Sequence, residues 1–296
     1  MSNILSFDEQ LGTDPPSRLD IVCTQFLGVP RAAVIAWIKG GQITVNGRPA
    51  KPALKVEAND VVHGEGLIAA NRVAPLEVST DPTILYEDDA VIVVNKPVGW
   101  TVHEVHKGQR GPFLTDWLVA HDPDSFSYSE SRRPGIVHRL DQMTEGVMVV
   151  AKTLDALESL KDQFKERTVD KGYYAAVRGN ILNEELLVDQ PIMRNPKTRN
   201  RMVVLPEGKP AISHIKVVKR YHSMTLVEVI PKTGRTHQIR VHLDFIGHPV
   251  IGDPMYGNVA GSREGQRLQA YRLGFKHPVT GEAMQFSVPL SERIVK

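Results

Sequence analysis

The chain contains a single cysteine, Cys23, and this scarcity excludes several classes of protein. One thiol cannot form an internal disulfide and cannot supply a multi-cysteine zinc or iron–sulfur site. The sequence also lacks any apolar run near the roughly 20 residues that a membrane-spanning helix needs. Its first residues, MSNILSFDEQLG, do not follow the pattern of a signal peptide. We therefore expect a soluble, cytoplasmic protein that makes no membrane contact.

Motifs for several common enzyme chemistries are missing as well. The sequence has no glycine-rich phosphate loop, dinucleotide-binding fingerprint or G-x-S-x-G elbow, which disfavours nucleoside-triphosphate, hydride-transfer and serine-hydrolase chemistry. His237, His242 and His248 lie close together, but their spacing matches no recognised metal-binding motif. We therefore predict no metal site.

Charge is unevenly distributed although the net charge is only +2. Residues 194–220 contain eight lysines and arginines against a single glutamate. Such a stretch can bind a polyanion, or it can form a basic face that contacts only solvent. The sequence leaves both interpretations open.

The length of 296 residues, with 41% hydrophobic residues, favours two domains. Residues 1–15 are predicted to form a flexible tail because they show little apolar periodicity. Residues 16–76 are predicted to form a small helix-rich domain, in which Gly40 and Gly41 end a helix and Asn46-Gly47 makes a tight hairpin turn. Residues 77–296 are then expected to form the second domain.

The second domain is predicted to be rich in strands. Apolar runs at 91–94, 146–150, 173–177 and 225–230 are typical of strands, and one clear amphipathic helix follows Thr153. Helices do not alternate regularly with these strands. We therefore predict an α+β fold with a mixed, largely antiparallel sheet.

The segment GIVHRLDQMTEGVMVV, residues 135–150, places three polar residues, His138, Arg139 and Asp141, between apolar runs. A carboxylate is costly to bury unless a cation or several hydrogen-bond donors lie nearby. Arg139 shares a face with Asp141 if this segment is extended. The spacing is compatible with a structural ion pair or with a functional one.

Two further segments carry unusual polar residues. In VIPKTGRTHQIRVHL, residues 229–243, Arg235 is predicted at the start of a helix, where the helix dipole disfavours a cation. A carboxylate or phosphate is therefore expected close to it. In KGYYAAVRG, residues 171–179, adjacent tyrosines on a strand must face opposite sides, so one can pack in the core while the other faces a cleft.

Together these segments resemble the RluA-type family of pseudouridine synthases, which isomerise uridines in RNA. RPGIVHRLDQMTEG resembles the family's His-Arg-Leu-Asp-x-x-Thr-Ser-Gly pattern, and NKPVGWTVH resembles its first motif. KGYYAAVRG, PKTGRTHQIRVHL, IGHPVIGDPMYG and GFKHPVTGEAMQFSVPL follow in the expected order, so the resemblance covers about residues 83–290. Residues 17 to about 65, with SRLD and IKGGQITVNGRPA, resemble an S4 RNA-binding domain.

The resemblance implies a role for each candidate residue. Asp141 would be the catalytic carboxylate, Arg235 its paired cation, and Tyr173 the residue that stacks on the target uracil. Arg139 would fill the space left by the flipped nucleotide. The other substrate-binding candidates are His138, Thr144, Arg31 in the S4-like domain, and Arg194, Arg199 and Arg201 in the basic stretch. No metal or organic cofactor is implied.

Several questions stay open at this level. Asp141 could attack ribose C1′ directly or remove the 2′ proton. The expected substrate is RNA, with large-subunit ribosomal RNA favoured over transfer RNA, and the expected state is a monomer. The rival functions are a non-catalytic RNA-binding protein and a glycoside hydrolase, which would need a second carboxylate such as Glu145 or Asp244. Glu145 and Gln269 stand where the family usually has serine and histidine.

Overall fold

The computed structural model describes residues 4–10, 17–27, 31–68, 80–104, 111–126, 133–198, 200–257 and 265–295. The chain divides into two compact units, Met1–Glu77 and Val78–Lys296. This division lies one residue from the domain boundary expected from the sequence. Within the described ranges, no helix has both the length and the apolar character needed to cross a membrane.

The N-terminal unit combines two helices and short strands around a small apolar core. Leu19, Cys23, Val34, Ile38 and Ile43 are buried in this core. Cys23 is therefore a packing residue. The elements of this unit are β1 (Ile4–Gln10), β2 (Ser17–Arg18), α1 (Leu19–Leu27), α2 (Arg31–Lys39), β3 (Ile43–Val45), β4 (Arg48–Pro49), β5 (Lys55–Val56) and β6 (Val61–Ile68).

The start of the chain differs from the predicted flexible tail. Residues Ile4–Gln10 form β1, which pairs antiparallel with β6. The prediction is wrong here because backbone hydrogen bonds to a strand distant in sequence order this segment, and local periodicity does not report such bonds. The hairpin turn is as predicted, since Asn46 (φ 51°) and Gly47 (φ 74°) both adopt the left-handed conformation.

A buried carboxylate fixes the entry to α1. Asp20 is fully buried and accepts hydrogen bonds from Arg18 Nε at 3.0 Å and from Arg31 Nη2 at 2.6 Å. The Arg18 hydrogen bond lowers the pKa of Asp20, burial opposes this shift, and Arg31 reinforces it. Arg31, an RNA-binding candidate, therefore has its guanidinium engaged within the unit, although its side chain is 49% exposed.

Asp20→Asn should destabilise the N-terminal unit in a pH-dependent way. Because the folded pKa is depressed, the carboxylate's contribution is fully present above its unfolded value of about 3.9 and is lost as pH falls through the folded value. We expect the variant to lose about 1–3 kcal/mol at pH 7. Urea unfolding of the full chain, followed by circular dichroism, measures this loss. A difference between wild type and variant that does not shrink below pH 4 would contradict the assignment.

The C-terminal unit is built on one large, mostly antiparallel sheet. Its elements are β7 (Thr83–Glu87), β8 (Val91–Lys96), α3 (Leu114–His121), α4 (Pro123–Phe126), β9 (Glu145–Ala151), α5 (Leu154–Glu166), β10 (Asp170–Arg178), β11 (Glu185–Asp189), β12 (Ile192–Arg194), β13 (Met202–Val204), β14 (Ile212–Arg220), β15 (Met224–Pro231), α6 (Gln238–Phe245), β16 (Leu268–Lys276), β17 (Ala283–Ser287) and α7 (Glu292–Val295). The strand order is β11-β14-β15-β10-β16-β9-β8-β7, and β17 pairs with β16. The described strand pairs of this sheet are antiparallel except β9 with β16.

The predicted α+β class and the mixed sheet are confirmed. The four apolar runs correspond to β8, β9, β10 and β15, and the predicted helix is α5. Thr153 caps α5 as expected, since its side-chain oxygen accepts a hydrogen bond from Ala156 N at 3.2 Å. Local patterns are reliable here because the strands are buried in the core and the helix is amphipathic.

Gly146 brings β9 close to β16 at the parallel pairing. It has φ 128°, and a Cβ at this position would lie 2.1 Å from the Ala270 carbonyl oxygen. Only glycine permits this approach. Because β9 begins directly after the turn that carries Asp141, the tight contact also fixes that turn against the sheet.

Candidate active site

A cleft of about 510 Å³ in the C-terminal unit is lined by all three segments highlighted in the sequence. Asp141 comes from the loop before β9, Tyr173 from β10, and Arg235 and Arg240 from the chain between β15 and the first turn of α6. Asp141 is the sole carboxylate among the described residues that line the cleft. The arrangement therefore places one acid among several cations.

The loop that carries Asp141 contributes several residues to the cleft. Arg139, Leu140 and Asp141 all line it, and Leu140 is also buried in the core. Arg139 does not pair with Asp141, however, and in the described part of the chain it makes no ion pair or hydrogen bond. Its exposed guanidinium is available to a ligand.

Arg240 is the cation paired with Asp141, and the expectation that Arg235 fills this role is wrong. Arg240 Nη1 donates to Asp141 Oδ2 at 2.7 Å, whereas Arg235 Nε donates to the carbonyl of Pro210 at 3.1 Å. The helix begins at Gln238, so Arg235 lies in the loop before it and Arg240 lies in its first turn. The sequence does contain a signal for this pairing. Arg240 lies between the apolar residues Ile239 and Val241 of the predicted helix, and an arginine that is buried with them requires an acidic partner.

Arg240 also binds a second carboxylate, that of Asp253. Asp253 is fully buried and accepts from Arg240 Nε at 2.6 Å and from Arg240 Nη2 at 2.9 Å. Burial opposes the charge on Arg240, but the bonds to Asp253 and Asp141 outweigh it and raise the pKa of the guanidinium. The backbone N–H groups of Met255 and Tyr256 also donate to Asp253, which leaves its carboxylate well satisfied.

His237 lies beside Asp141 in a defined tautomer. The buried Tyr256 hydroxyl accepts a hydrogen bond from Met202 N at 2.9 Å, so its own proton needs an acceptor, and His237 Nδ1 lies 3.0 Å away. The ring hydrogen is then on Nε2, which faces Asp141 Oδ1 at 3.8 Å. Burial lowers the pKa of His237 although Asp141 opposes the shift, so the imidazole is neutral at physiological pH.

The two oxygens of Asp141 therefore have different environments. Oδ2 is held by Arg240, while Oδ1 makes no hydrogen bond to a described residue and lies 3.8 Å from His237 Nε2. The Asp141 side chain is 23% exposed. Oδ1 thus presents available lone pairs to a molecule in the cleft.

Tyr173 and Tyr174 face opposite sides of the sheet, as the strand geometry predicts. Tyr173 lines the cleft and packs on the apolar core beneath it. Tyr174 stacks on Tyr271 with ring centroids 4.1 Å apart. Burial and the nearby Asp141 raise the pKa of Tyr173, so its phenol remains protonated at neutral pH.

His138 and Thr144 line the cleft, but their polar atoms are engaged in holding the Asp141 loop. His138 Nε2 accepts from Val149 N at 3.1 Å, and its ring stacks on Phe164. Burial lowers the pKa of His138 to about 3, so it remains neutral. The buried Thr144 donates its N–H to the Asp141 carbonyl, and its hydroxyl accepts from Gln266 Nε2. Both residues support the loop from within the protein.

Comparison with known proteins agrees with this geometry. The sequence profile of the RNA pseudouridylate synthase family matches residues 90–245, just over half of the chain, and the profile of the S4 domain matches residues 17–62. The chain belongs to the RNA pseudouridylate synthase family.

Individual relatives match over most of the chain. An uncharacterized RNA pseudouridine synthase of Bacillus subtilis is 42% identical, over 88% of this chain and 86% of its own length. A Neisseria meningitidis protein named ribosomal large subunit pseudouridine synthase D is 40% identical, over 94% of this chain and 76% of its own. The structure of human RNA pseudouridylate synthase domain containing 1 superposes with a TM-score of 0.58 at 28% identity, covering 71% of this chain and 83% of the human chain.

The first motif of the synthase, NKPVG, holds the turn that follows Asp141. Gly99 N donates to the Gln142 carbonyl at 2.9 Å, and the fully buried Lys96 donates to the carbonyls of Gln142, Pro97 and Trp100. Burial lowers the pKa of Lys96 to about 7, while three carbonyl acceptors match the three donors of an ammonium group. This motif therefore acts on the site through the backbone.

Glu145 and Gln269, two of the departures from the family pattern, both bind the C-terminal segment of the synthase. They are register partners in the β9–β16 pairing. Glu145 accepts from Arg293 Nε at 3.0 Å, and Gln269 bonds to the backbone of Pro289 and Ser291. Glu145 is therefore not a second acid in the cleft. Asp244 lies 3.4 Å from Arg201 and is likewise absent from the cleft, which leaves a two-carboxylate hydrolase without its second group.

The basic stretch does not form one uniformly charged face. Lys216 pairs with Glu185 and Arg220 pairs with Glu184, while Arg201 packs over the Tyr256 ring at 4.9 Å and approaches Asp244. Arg194 is exposed at the end of β12. Arg199 lies outside the described residues. Several of these cations are thus partly neutralised by neighbouring acids.

The three histidines of the α6 region bind protein groups. His242 contacts Ser213 Oγ and the Gln190 carbonyl, each at 2.9 Å, and His248 Nδ1 lies 2.9 Å from the Arg178 carbonyl. In the ranges that the structure describes, no three or more His, Cys, Asp or Glu side chains are grouped to hold a metal ion.

Arg240→Gln should reduce kcat by about 100-fold or more, because Asp141 and Asp253 lose their shared cation. Arg235→Gln should have a much smaller effect. Release of tritium from RNA containing [5-³H]uridine measures turnover, and circular dichroism at the assay temperature shows how much of each variant is folded. Equal losses in the two folded variants would restore Arg235 as the partner of Asp141.

Glu145→Ser should lower the melting temperature while the enzyme retains most of its activity. The substitution leaves Arg293 without its carboxylate, and we expect a loss of about 1–3 kcal/mol for this partly buried pair. Arg293→Gln and the double variant complete a thermodynamic cycle, measured by urea unfolding. Additive effects would show that the pair does not stabilise the fold.

Proposed function

We propose that this synthase converts specific uridines of large-subunit ribosomal RNA into pseudouridine, with Asp141 as the catalytic carboxylate and without a metal or organic cofactor. The observation that carries the catalytic role is the asymmetry of Asp141, with Oδ2 held by Arg240 and Oδ1 open to the cleft. The ribosomal substrate is supported by relatives named ribosomal large subunit pseudouridine synthase D, which match over more than nine-tenths of the chain.

The reaction is an isomerisation in which no atom is gained or lost overall. The bond from ribose C1′ to uracil N1 breaks, and the electron pair stays on the uracil. The base then turns, C5 bonds to C1′, the C5 proton leaves and N1 gains a proton. Asp141 Oδ1 can begin this sequence by attacking C1′, which forms an ester bond that breaks when C5 bonds to C1′. Alternatively it removes the 2′ proton, which returns to C2′ when C5 bonds to C1′, and the same oxygen serves either route.

One carboxylate is sufficient because the departing uracil is a resonance-stabilised anion. A sugar hydrolase normally needs a second carboxyl group as the acid for its leaving group. In this cleft the described donors near Asp141 are neutral or cationic, namely His237, Tyr173 and Arg240. They can accommodate negative charge on the base without providing a second acid.

We assign the remaining cleft residues by position. Tyr173 stacks on the target uracil, and Arg139 occupies the space left when the nucleotide is extruded from the RNA. Extrusion costs a few kcal/mol, which contacts to the RNA backbone must offset. We propose that Arg194, Arg199 and Arg201, together with the S4 domain around Arg31, provide part of these contacts. His138 and Thr144 support the loop that holds Asp141.

We further propose that the enzyme works as a monomer in the cytoplasm. All residues proposed for catalysis lie in the C-terminal unit of a single chain. Ribosomal RNA is the substrate that the names of the relatives suggest, and it is found in that compartment in bacteria.

Pseudouridine mapping tests this proposal. An unmodified large-subunit ribosomal RNA transcript is incubated with the wild type, Asp141→Asn or the control Asp244→Asn, in the presence of a chelator. We expect new pseudouridine at defined positions with the wild type and with Asp244→Asn, and none with Asp141→Asn.

Other outcomes contradict specific parts of the proposal. Product on transfer RNA alone would exclude the ribosomal substrate, and product that requires added metal would exclude the cofactor-free reaction. Tight RNA binding without product on either RNA would indicate a non-catalytic RNA-binding protein. Turnover by Asp141→Asn would remove this residue from the catalytic role.

A further inference from the structure

A second depression, of about 210 Å³, adjoins the active-site cleft. Arg167, Lys171 and Pro231 line both spaces, so the two spaces are neighbours. Lys232, directly after β15, lines the smaller space. We call this space the side pocket. It lies where the end of α5, the start of β10 and the end of β15 meet.

The side pocket carries positive charge that no described group of the protein neutralises. Arg167, Lys171 and Lys232 have no ion pair or side-chain hydrogen bond in the ranges covered by the structure. The acidic residue among its lining side chains, Asp170, is engaged by Arg272 Nε at 3.0 Å. The lining therefore carries three unpaired cations and one carboxylate, which is paired with an arginine outside the lining, and this balance favours an external anion.

The surroundings of Lys171 strengthen this interpretation. Its side chain is only partly exposed, and its Nζ lies 6.0 Å from the centre of the Phe164 ring. Burial and the neighbouring Arg167 lower the pKa of Lys171. A cation held beside another cation in a partly apolar setting is stabilised when an anion binds between them.

Arg167 adopts a backbone conformation that arginine rarely takes. It follows α5 with φ 62° and ψ 30°, in the left-handed conformation that usually selects glycine or asparagine. Its backbone N–H bonds to the Gln163 carbonyl, which a glycine would do equally well. The long cationic side chain is therefore what arginine adds at this position, and that side chain lines both the cleft and the side pocket.

We propose that the side pocket binds a backbone phosphate of the substrate RNA next to the target uridine, through Arg167, Lys171 and Lys232. This inference rests on the proposed function, in which the target base enters the cleft beside Asp141. An RNA chain carries one phosphate per nucleotide, so a nucleotide bound in the cleft must have flanking phosphates at its exits. The shared lining residues place the side pocket beside the cleft, where it can receive one such phosphate.

The first test compares two variants that each remove two exposed positive charges. Arg167→Gln with Lys232→Gln alters the side pocket. The matched control, Lys161→Gln with Lys276→Gln, removes two exposed lysines that lie outside both spaces and outside the basic stretch. The affinity of each full-length protein for the large-subunit ribosomal RNA transcript is measured between 50 and 200 mM salt.

The side-pocket variant should bind RNA about tenfold or more weakly. Its plot of log affinity against log salt should be shallower by about one, as expected for the loss of one phosphate contact. KM should rise while kcat is unchanged, and the control should match the wild type. A side-pocket variant with wild-type affinity and salt slope would overturn the proposal, as would an equal loss in the control.

A second test locates the phosphate on the RNA. Single neutral methylphosphonate groups are placed at each position around the target uridine in an oligoribonucleotide that spans the mapped site. One position should weaken binding to the wild type and have no further effect on the side-pocket variant. Additive losses at every position would contradict a direct contact.

The binding experiments separate this proposal from the catalytic one. Loss of affinity in the side-pocket variant, in a protein that forms no pseudouridine, would support the phosphate site and reject the proposed chemistry. Normal RNA affinity in the side-pocket variant, when the wild type does form pseudouridine, would reject the phosphate site and support the proposed chemistry. Lys171→Gln, whose side chain is partly buried, is used only after circular dichroism shows that it is folded.

Discussion

The catalytic unit depends on one buried arginine that is shared by two carboxylates. Arg240 presents two nitrogens to Asp253 and a third to Asp141. An arginine cannot be buried without acids around it, and a fully buried aspartate cannot stay ionised without a cation. The ion pair between Arg240 and Asp253 meets both conditions, and Asp141 is the carboxylate bound to Arg240 that lines the cleft. The geometry of Asp141 is thus a consequence of how the interior charges are balanced.

A carboxylate fixed by a single bond could still turn, so the position of its backbone matters as much as its partner. The carbonyls of the turn after Asp141 are taken by donors from distant parts of the chain: Gly99 and Lys96 bind Gln142, and Arg293 binds Met143. Arg293 is in turn oriented by Glu145. Segments that contribute no group to the cleft therefore act on the site by fixing the turn. The first motif and α7 both contact the segment that carries Asp141 in this way.

The sequence predicts best the features that depend on residues close together in the chain. The strands β8, β9, β10 and β15, the cap at Thr153 and the left-handed turn at Asn46-Gly47 follow from periodicity and turn chemistry, and the opposite orientations of Tyr173 and Tyr174 follow from strand geometry. The partner of Asp141 was not predictable in the same way. Whether Arg235 or Arg240 reaches Asp141 depends on the residue at which α6 begins. Because α6 begins at Gln238, Arg235 lies in the preceding loop and Arg240 is buried in the first turn. The pairing of β1 with β6, and of Glu145 with Arg293, depends on contacts between residues far apart in the chain, for which local patterns carry no information.

The charges around Asp141 bear on how the proposed reaction can take place. An RNA chain is a polyanion and would repel an ionised carboxylate that, in the proposed reaction, approaches ribose. Among the described residues that line the cleft, that one acid is surrounded by cations, namely Arg139, Lys165, Arg167, Lys171, Arg235 and Arg240. Only Arg240 bonds to the acid, so most of this positive charge remains available to the phosphates. In the proposed reaction the same cations therefore attract the RNA to the carboxylate that acts on it, and weakening them should affect binding before it affects the chemistry at Oδ1.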